Sequence, residues 1–266
     1  MLAETRGTIL SGGTDVFPAL GDRPFSTPLI DISALSELRG IRFTDKYIQI
    51  GGRTTWSDLL RAALPRGCDG LKAAAREVGG VQIQNQGTIA GNICNASPAA
   101  DGVAALLALD AQVTLASAAQ TRTMPLAEFI TGNRQTLRST AEILTCVQIP
   151  RRLEDAATVF LKLGARRYLV ISIVMVAITL LADESGAIKE ALICAGSCSA
   201  KAMRLTELEN ALAGHPISSA LSEVLRDNHL RPLSPIDDIR STATYRNDAA
   251  KILLKRGLRA CADKLA

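Results

Sequence analysis

Aromatic residues are scarce: one Trp, three Tyr and five Phe make up 3% of the 266 residues. So few rings leave few platforms for stacking bases, which argues against single-stranded nucleic acid as a ligand. Histidine is scarcer, with only two, His215 and His229. Six cysteines are present, yet no two form a Cys-x-x-Cys pair. The Cys194/Cys198 spacing fits neither a zinc nor an iron–sulfur ligand set, so no metal site is expected on this chain. No Gly-Lys-Ser/Thr follows a glycine turn and no Gly-x-Gly-x-x-Gly occurs, which removes the common nucleotide loops. Met1-Leu2-Ala3-Glu4 leads into no apolar stretch, so no signal peptide is expected. The longest apolar run, Leu169 to Ala182, is too short to cross a bilayer comfortably and includes Ser172 and Thr179. It reads as one fully buried strand. Reduced thiols without a leader point to a cytoplasmic protein.

What is present is aliphatic. Hydrophobic residues reach 47% and mean hydropathy is +0.17, enough to bury a substantial core. The length allows one large domain or two ordinary ones. Net charge is a mild +4, and its densest basic cluster, Lys251, Lys255, Arg256 and Arg259, reads as a solvated helix face.

Two glycine-bearing stretches stand out. In the first, Thr8-Ile9-Leu10 is a β-type lead into Ser11-Gly12-Gly13-Thr14-Asp15-Val16. Its glycines permit positive φ and expose backbone N–H groups. Taken alone it is also an ordinary tight turn. The second is Gly87 through Asp101, small and amide-rich, with almost no charge. It reads either as a polar turn before a helix or as a neutral cradle of N–H groups and hydroxyls for pyrophosphate. Gly91 admits close approach of a ligand, and Thr88, Asn92, Asn95 and Ser97 offer short hydrogen-bonding side chains. Ser97 is placed to cap the following helix, with Pro98 as its first residue and Asp101 in its first turn.

The remaining pattern is α+β. Tyr47 to Gly52, Ala111 to Ala116 and Glu142 to Pro150 read as strands. Thr55 to Ala63, capped by Thr55 or Ser57, and Leu71 to Val78 read as helices, and Pro125 to Ile130 as a short helical turn. The polar Pro150–Asp155 segment resembles a domain junction. Beyond it come strands Thr158 to Leu163, the apolar run and Ile188 to Ala195. Helical patterns Leu205 to Ala213, Ser219 to Asn228 and Tyr245 to Leu265 follow.

Together, Ile9-Leu10-Ser11-Gly12-Gly13-Thr14-Asp15, Thr88-Ile89-Ala90-Gly91-Asn92 and Ser97-Pro98-Ala99-Ala100-Asp101 resemble the paired FAD-binding signature of the molybdenum hydroxylases. The likeness continues through Leu29-Ile30-Asp31-Ile32, Leu106 to Ala111, Glu142-Ile143-Leu144, Lys162 to Arg167 and Cys194-Ala195-Gly196 to Tyr245-Arg246. It therefore spans nearly the whole chain in order. The resemblance implies a two-subdomain FAD-binding domain of the PCMH type over 1–152. A C-terminal α+β domain with a three-stranded antiparallel sheet and helices would follow over 153–266. It implies that the backbone from Ile9 to Val16 wraps the diphosphate, and that Thr88 and Asn92 bond phosphates or ribityl chain beside Gly91 and Ser97. Asp101 would fix the polar part of the cofactor near the flavin. Val78 would line its pocket, Leu144 would touch adenine or flavin, and Lys162 would lie by the isoalloxazine.

By the same resemblance this chain is an electron relay. Electrons would arrive from a large molybdopterin-binding subunit through two [2Fe–2S] clusters on a small subunit, and leave to NAD⁺, O₂ or another acceptor. Three features depart from the family pattern. Relatives carry further residues before the first glycine turn, so the start is truncated or the first subdomain reduced. Ala90-Gly91 stands where relatives often have Gly-Gly. No acidic residue precedes Ile171-Ser172, which counts against NAD⁺. A stand-alone FAD-dependent oxidoreductase and a flavin-free assembly module share the expected fold. His215 and His229 read as structural. Cys94 is either a reactive thiol or a small buried residue, and Arg166 and Arg167 either guide a partner or pair locally. Asp101→Ala and Asn92→Ala are expected to weaken FAD retention while leaving the fold largely intact.

Overall fold

A computed structural model describes residues 7–266; the start Met1-Leu2-Ala3-Glu4 lies outside the described residues. The first strand, β1 (Thr8–Leu10), pairs in parallel with β2 (Leu29–Asp31), and the short helix α1 (Val16–Leu20) lies between them. Parallel neighbours need a crossover, and the Ser11–Thr14 turn begins it.

The next layer is an antiparallel sheet of β3 (Ile41–Phe43), β4 (Tyr47–Gly51), β5 (Gln112–Ala116), β6 (Thr121–Pro125) and β9 (Ile143–Pro150). Their order is β3-β4-β9-β5-β6. A small hairpin, β7 (Ile130–Gly132) with β8 (Gln135–Thr136), precedes β9 after the turn of helix α7 (Leu126–Phe129). In β4, buried Ile48 and Ile50 alternate with half-buried neighbours, the period of a strand with one face on a core.

Between β4 and β5 the chain passes through α2 (Trp56–Arg61), α3 (Asp69–Glu77), α4 (Val81–Gln86), α5 (Ile89–Asn95) and α6 (Asp101–Leu107). Leu59, Leu71, Ile89, Ile93 and Leu106 from these helices pack with Ile48, Ile50, Val113, Leu115 and Val147 of the sheet. Of the two candidate caps of α2, Thr55 is the one used. Its Oγ1 accepts from Asp58 N at 3.2 Å while Asp58 Oδ2 accepts from Thr55 N at 3.1 Å. Ser57 instead donates to Asn85 Oδ1 at 2.5 Å, tying α2 to α4.

After a 3-10 turn at Arg151–Leu153 comes a second antiparallel sheet, β10 (Ala157–Leu163), β11 (Val174–Ala182), β12 (Ile188–Gly196) and β13 (Met203–Arg204), in that order. The expected three strands are therefore four. The fourth has two residues, pairing Met203 with Ala195 and Arg204 with Cys194, too short to leave a periodic signal. The long apolar run is not one strand. Leu169 takes φ +52°, which no strand accommodates, and β11 begins only at Val174.

β11 is apolar except for buried Thr179 because both its faces are buried. Val176, Ile178 and Leu180 join a second core with Leu205, Leu208 and Leu212, the last two on helix α8 (Thr206–Leu212). That core also takes in Leu254, Leu258 and Cys261 of the terminal helix α9 (Ala243–Leu265). Met175 and Ala177, on the opposite face, complete the first core with Phe160, Leu192 and Cys194. The expected helix over Ser219–Asn228 is two 3-10 turns, Ser219–Glu223 and Asp227–Leu230. Extended Arg226 (φ −122°, ψ 162°) separates them. Among the described residues no helix is long and apolar enough to cross a membrane.

Candidate cofactor-binding site

The two glycine-bearing stretches meet. A Cβ on Gly12 would lie 1.9 Å from the Gln86 carbonyl oxygen, so only glycine lets the first turn cross the end of α4. Gly13 turns the chain with φ +71°. The second stretch contains a helix that its composition concealed. Thr88 caps α5, its Oγ1 accepting from Gly91 N at 3.1 Å. The helix is docked by Ile89 N to Thr54 O and Ala90 N to Gly52 O, both 3.0 Å.

Ser97 is not the cap of the next helix. Its Oγ accepts from Ala99 N at 3.2 Å, a local turn of the kind Ser-Pro favours. Pro98 is not helical either: α6 starts at Asp101, with extended Ala100 at its N-cap.

These elements enclose a cavity of about 480 Å³. Ile9, Ser11, Gly12, Gly13, Thr14, Asp15, Val16, Val78, Thr88, Gly91, Asn92 and Leu144 all line it. A second cavity of about 300 Å³ shares Val78 and Asn92 with the first and adds Glu77, Asp101 and Leu169–Ile171. Together they match the scale of small-molecule and cofactor sites. Leu10, Ser97 and Lys162 line neither. Leu10 alternates with Ile9 along β1 and points away, as strand geometry requires. Gly52, Trp56, Ile83 and Arg138 also line the larger cavity. They come from four separate segments and carry no shared motif that marks them in sequence.

The polar groups of the larger cavity are incompletely paired. Ser11 Oγ and Asn92 Oδ1 are buried without a hydrogen-bond partner. Such atoms cost about 1–3 kcal/mol each and are what a bound ligand would satisfy. With the Gly12 cradle and the apolar Val78 and Leu144, this set fits a long, partly apolar dinucleotide. Cys94 also lines the cavity; burial pushes its thiol up to about 11, so it is protonated at neutral pH rather than a reactive thiolate.

Beneath the smaller cavity Asp101 and Lys162 are paired. Asp101 Oδ2 accepts from Lys162 Nζ at 2.7 Å, and its Oδ1 accepts from Ser172 Oγ at 2.7 Å. Lys162 also donates to Glu77 O at 3.3 Å. Both ion-pair side chains are under a tenth exposed. Burial pushes the Asp101 carboxyl above its ordinary range, while Lys162 and Ser172 pull it back. The Lys162–Asp101 contact joins β10 to the start of α6. His229 lies away from both cavities, its Nδ1 accepting from Arg226 N at 3.1 Å, and His215 lines neither. Arg166 folds back onto the Tyr168 carbonyl at 2.9 Å.

Comparison with known proteins agrees with this geometry. Residues 1–152 match the family model described as FAD binding domain in molybdopterin dehydrogenase, and residues 159–261 match the CO dehydrogenase flavoprotein C-terminal domain. The nicotinate dehydrogenase FAD-subunit of Eubacterium barkeri is 34% identical over 221 residues, covering 81% of this chain and 74% of that protein. The glyceraldehyde dehydrogenase medium chain of Sulfolobus acidocaldarius is 29% identical over 254 residues, covering 94% of this chain and 89% of that one. A solved structure of carbon monoxide dehydrogenase from Hydrogenophaga pseudoflava superposes with a TM-score of 0.90 at 26% identity, over 100% of this chain and 93% of that one. The chain belongs to the family of FAD-binding medium subunits of molybdopterin-dependent hydroxylases. It is the flavoprotein component of an oxidoreductase complex of that type.

Proposed function

We propose that the chain holds FAD across the two joined cavities and serves as the electron-transfer subunit between a small [2Fe–2S] subunit and an external acceptor. A large molybdopterin-binding subunit would oxidise the substrate. The observation that carries this reading is the pair of unpartnered oxygens, Ser11 Oγ and Asn92 Oδ1, on two cavity-lining segments that cross at Gly12.

The backbone from Ile9 to Val16 would hold the diphosphate. Thr88, Gly91 and Asn92 would bond phosphates or ribityl hydroxyls, and Val78 and Leu144 would supply the apolar contact. Asp101 would accept from the polar edge of the ring system, with Lys162 and Ser172 fixing its carboxylate and Ser97 shaping the turn before it. Bound there, FAD supplies a redox centre able to exchange electrons singly or in pairs. The chain's own work is to bind it, orient it and keep water from its buried faces.

Relatives named for nicotinate, glyceraldehyde and carbon monoxide are similar in sequence over most of this chain, which supports placing substrate choice on another subunit. Glu77 is the only ionisable residue besides Asp101 lining the smaller cavity, and the acceptor, whether NAD⁺, O₂ or another, would meet a largely apolar rim there. The domain division at 152/153 falls within the Arg151–Leu153 turn, and six free thiols suit the cytoplasm.

The test is direct. The purified chain is expected to be yellow and to release FAD rather than FMN on denaturation. A tagged chain expressed with its complex should co-purify with one molybdopterin and one iron–sulfur subunit. A colourless chain that FAD cannot reconstitute would sink the proposal.

A further inference from the structure

Arg246 stands in the first turn of α9 and is only 3% exposed. It lines neither cavity. Its Nη1 donates to two backbone carbonyls that lie just behind the lining of the smaller cavity, Ile173 O at 2.6 Å and Ser197 O at 3.0 Å; neither residue lines it. Its Nη2 donates to Asp238 Oδ1 at 2.7 Å.

Each carbonyl leads to the cavity. Ile173 follows Ser172, which bonds Asp101, and lies two residues beyond Ile171 of the lining. Ser197 donates its N–H to Pro98 O at 3.0 Å, and Pro98 precedes the lining residues Ala99 to Asp101. One guanidinium thus gathers the 169–173 segment and the 97–101 segment. The backbone there is held in unfavourable conformations. Ala96 (φ +46°), Leu169 (φ +52°) and Ser197 (φ +62°) are all non-glycine residues at positive φ, each costing about 1–3 kcal/mol and persisting only where surroundings over-determine them.

We infer that Arg246 is a positioning residue for the cofactor: it sets the spacing of the two walls around the smaller cavity and so holds the Asp101 carboxylate where the bound flavin meets it. The inference rests on the FAD assignment above. A buried guanidinium suits this task because its fixed fork bonds several carbonyls at once and never deprotonates. Asp238 orients it; against the opposing effect of burial, the Arg240 N–H and the Arg246 and Arg240 side chains hold the Asp238 carboxyl well below the ordinary carboxylate range. Lysine supplies the charge without the fork, so it should restore the function only in part.

The experiment uses the full chain and compares Arg246→Gln, Arg246→Lys, Asp238→Asn and a control, Arg152→Gln. Arg152 also bridges the two halves, bonding Asp110 Oδ2 at 2.8 Å and Glu190 Oε1 at 2.7 Å, but neither partner lines a cavity. FAD affinity is read by quenching of flavin fluorescence. The setting of the ring is read by the visible circular dichroism of bound flavin, and folding by far-UV circular dichroism and thermal melting. Arg246→Gln is expected to raise the Kd for FAD about tenfold or more, the loss of one charge-assisted contact, and to change the visible dichroism. Arg246→Lys should recover part of both, and Arg152→Gln should leave both as in the unmodified chain.

An Arg246→Gln chain with unaltered Kd and dichroism overturns the inference. So does equal weakening by Arg152→Gln, which would mark a general loosening of the two halves. Should Arg246→Gln fail to fold, Arg246→Lys and Asp238→Asn decide: altered dichroism in folded protein supports the role, and unaltered dichroism with unaltered Kd overturns it. Failure of the unmodified chain to bind FAD overturns the cofactor assignment itself. Normal binding there with no effect at Arg246 overturns only the positioning role.

Discussion

The two cavities share a wall but are finished differently. Around the larger one, buried oxygens of Ser11 and Asn92 are left without partners, and glycine holds two loops in contact. Beneath the smaller one, Asp101, Lys162 and Ser172 bond one another, and Arg246 ties down the surrounding backbone. The first region leaves cavity-facing oxygens for a ligand. In the second the Asp101 carboxylate is already bonded within the chain, while Asn92 lines both cavities and Ser197 Oγ and Arg246 Nε nearby are also without partners. Substitutions should therefore separate binding from folding at the larger cavity and affect both at the smaller.

The largest expected effect is at the junction. Asp101→Ala leaves the Lys162 ammonium buried without its counter-ion, which should cost about 3–5 kcal/mol of stability, measured by urea denaturation, and lower FAD content as well. The sequence alone points to loss of flavin with the fold largely intact; the ion pair changes that expectation. A variant as stable as the original would break the contrast between the two regions.

Gly12→Ala comes next. Its new Cβ must push Gln86 away, so stability should fall by about 1–3 kcal/mol and FAD affinity about a hundredfold. Equilibrium unfolding and fluorescence titration read the two quantities. Retained affinity would mean that the crossing of the two loops is incidental.

Ser11→Ala sharpens the comparison from the other side. Removing an unpartnered buried hydroxyl should raise the stability of the flavin-free chain, by up to about 1–3 kcal/mol, while weakening FAD about tenfold. Equal losses in both measurements would place Ser11 among structural residues.

The smallest effect concerns acid. Bidentate bonds from Arg122, at 2.7 and 2.9 Å, hold the Glu142 carboxyl down to about 2 against its usual 4.5. A depressed carboxyl contributes stability that is present above its unfolded pKa and lost as pH falls through the folded one. Melting temperature should drop between pH 4.5 and 2, and Glu142→Gln should flatten that slope. An unchanged slope would show that this pair is not what links β9 stability to pH.

How much of this was legible in the sequence depends on how local the signal was. Gly12-Gly13 is a short motif whose turn follows from neighbouring residues, and Gly13 takes the positive φ its type allows. Thr88 reads in sequence as a ligand contact, and nothing there foretells its cap on α5. Strands such as Tyr47–Gly51 show a plain period of two. Helix α5 escaped notice because Asn92, Asn95 and glycine suggest a turn, and only its docking onto Thr54 and Gly52 stabilises it. Ser97 carried a valid capping signal, but the chain at Ala100 is extended, which delays the helix to Asp101. The Lys162–Asp101 pair spans 61 residues, and Arg246 reaches Ile173 across 73. Contacts so distant leave no pattern that spacing can reveal. The break in the apolar run at Leu169 is likewise conformational: Leu169 and Ile171 are more than half exposed in a loop, and apolar composition alone reads as burial.

The two-faced burial of β11 bears on the order in which the protein can be made. Met175 and Ala177 complete a core whose other members begin at Ile48. During synthesis, the amino-terminal half therefore emerges with one side of its interior uncovered. It stays so until the strand and its neighbour β12 have left the ribosome. The floor of the smaller cavity also waits for Lys162 and Ser172, and the backbone behind its walls waits for Arg246. The bonds that fix Asp101 thus form only once β10, Ser172 and the start of α9 have been made.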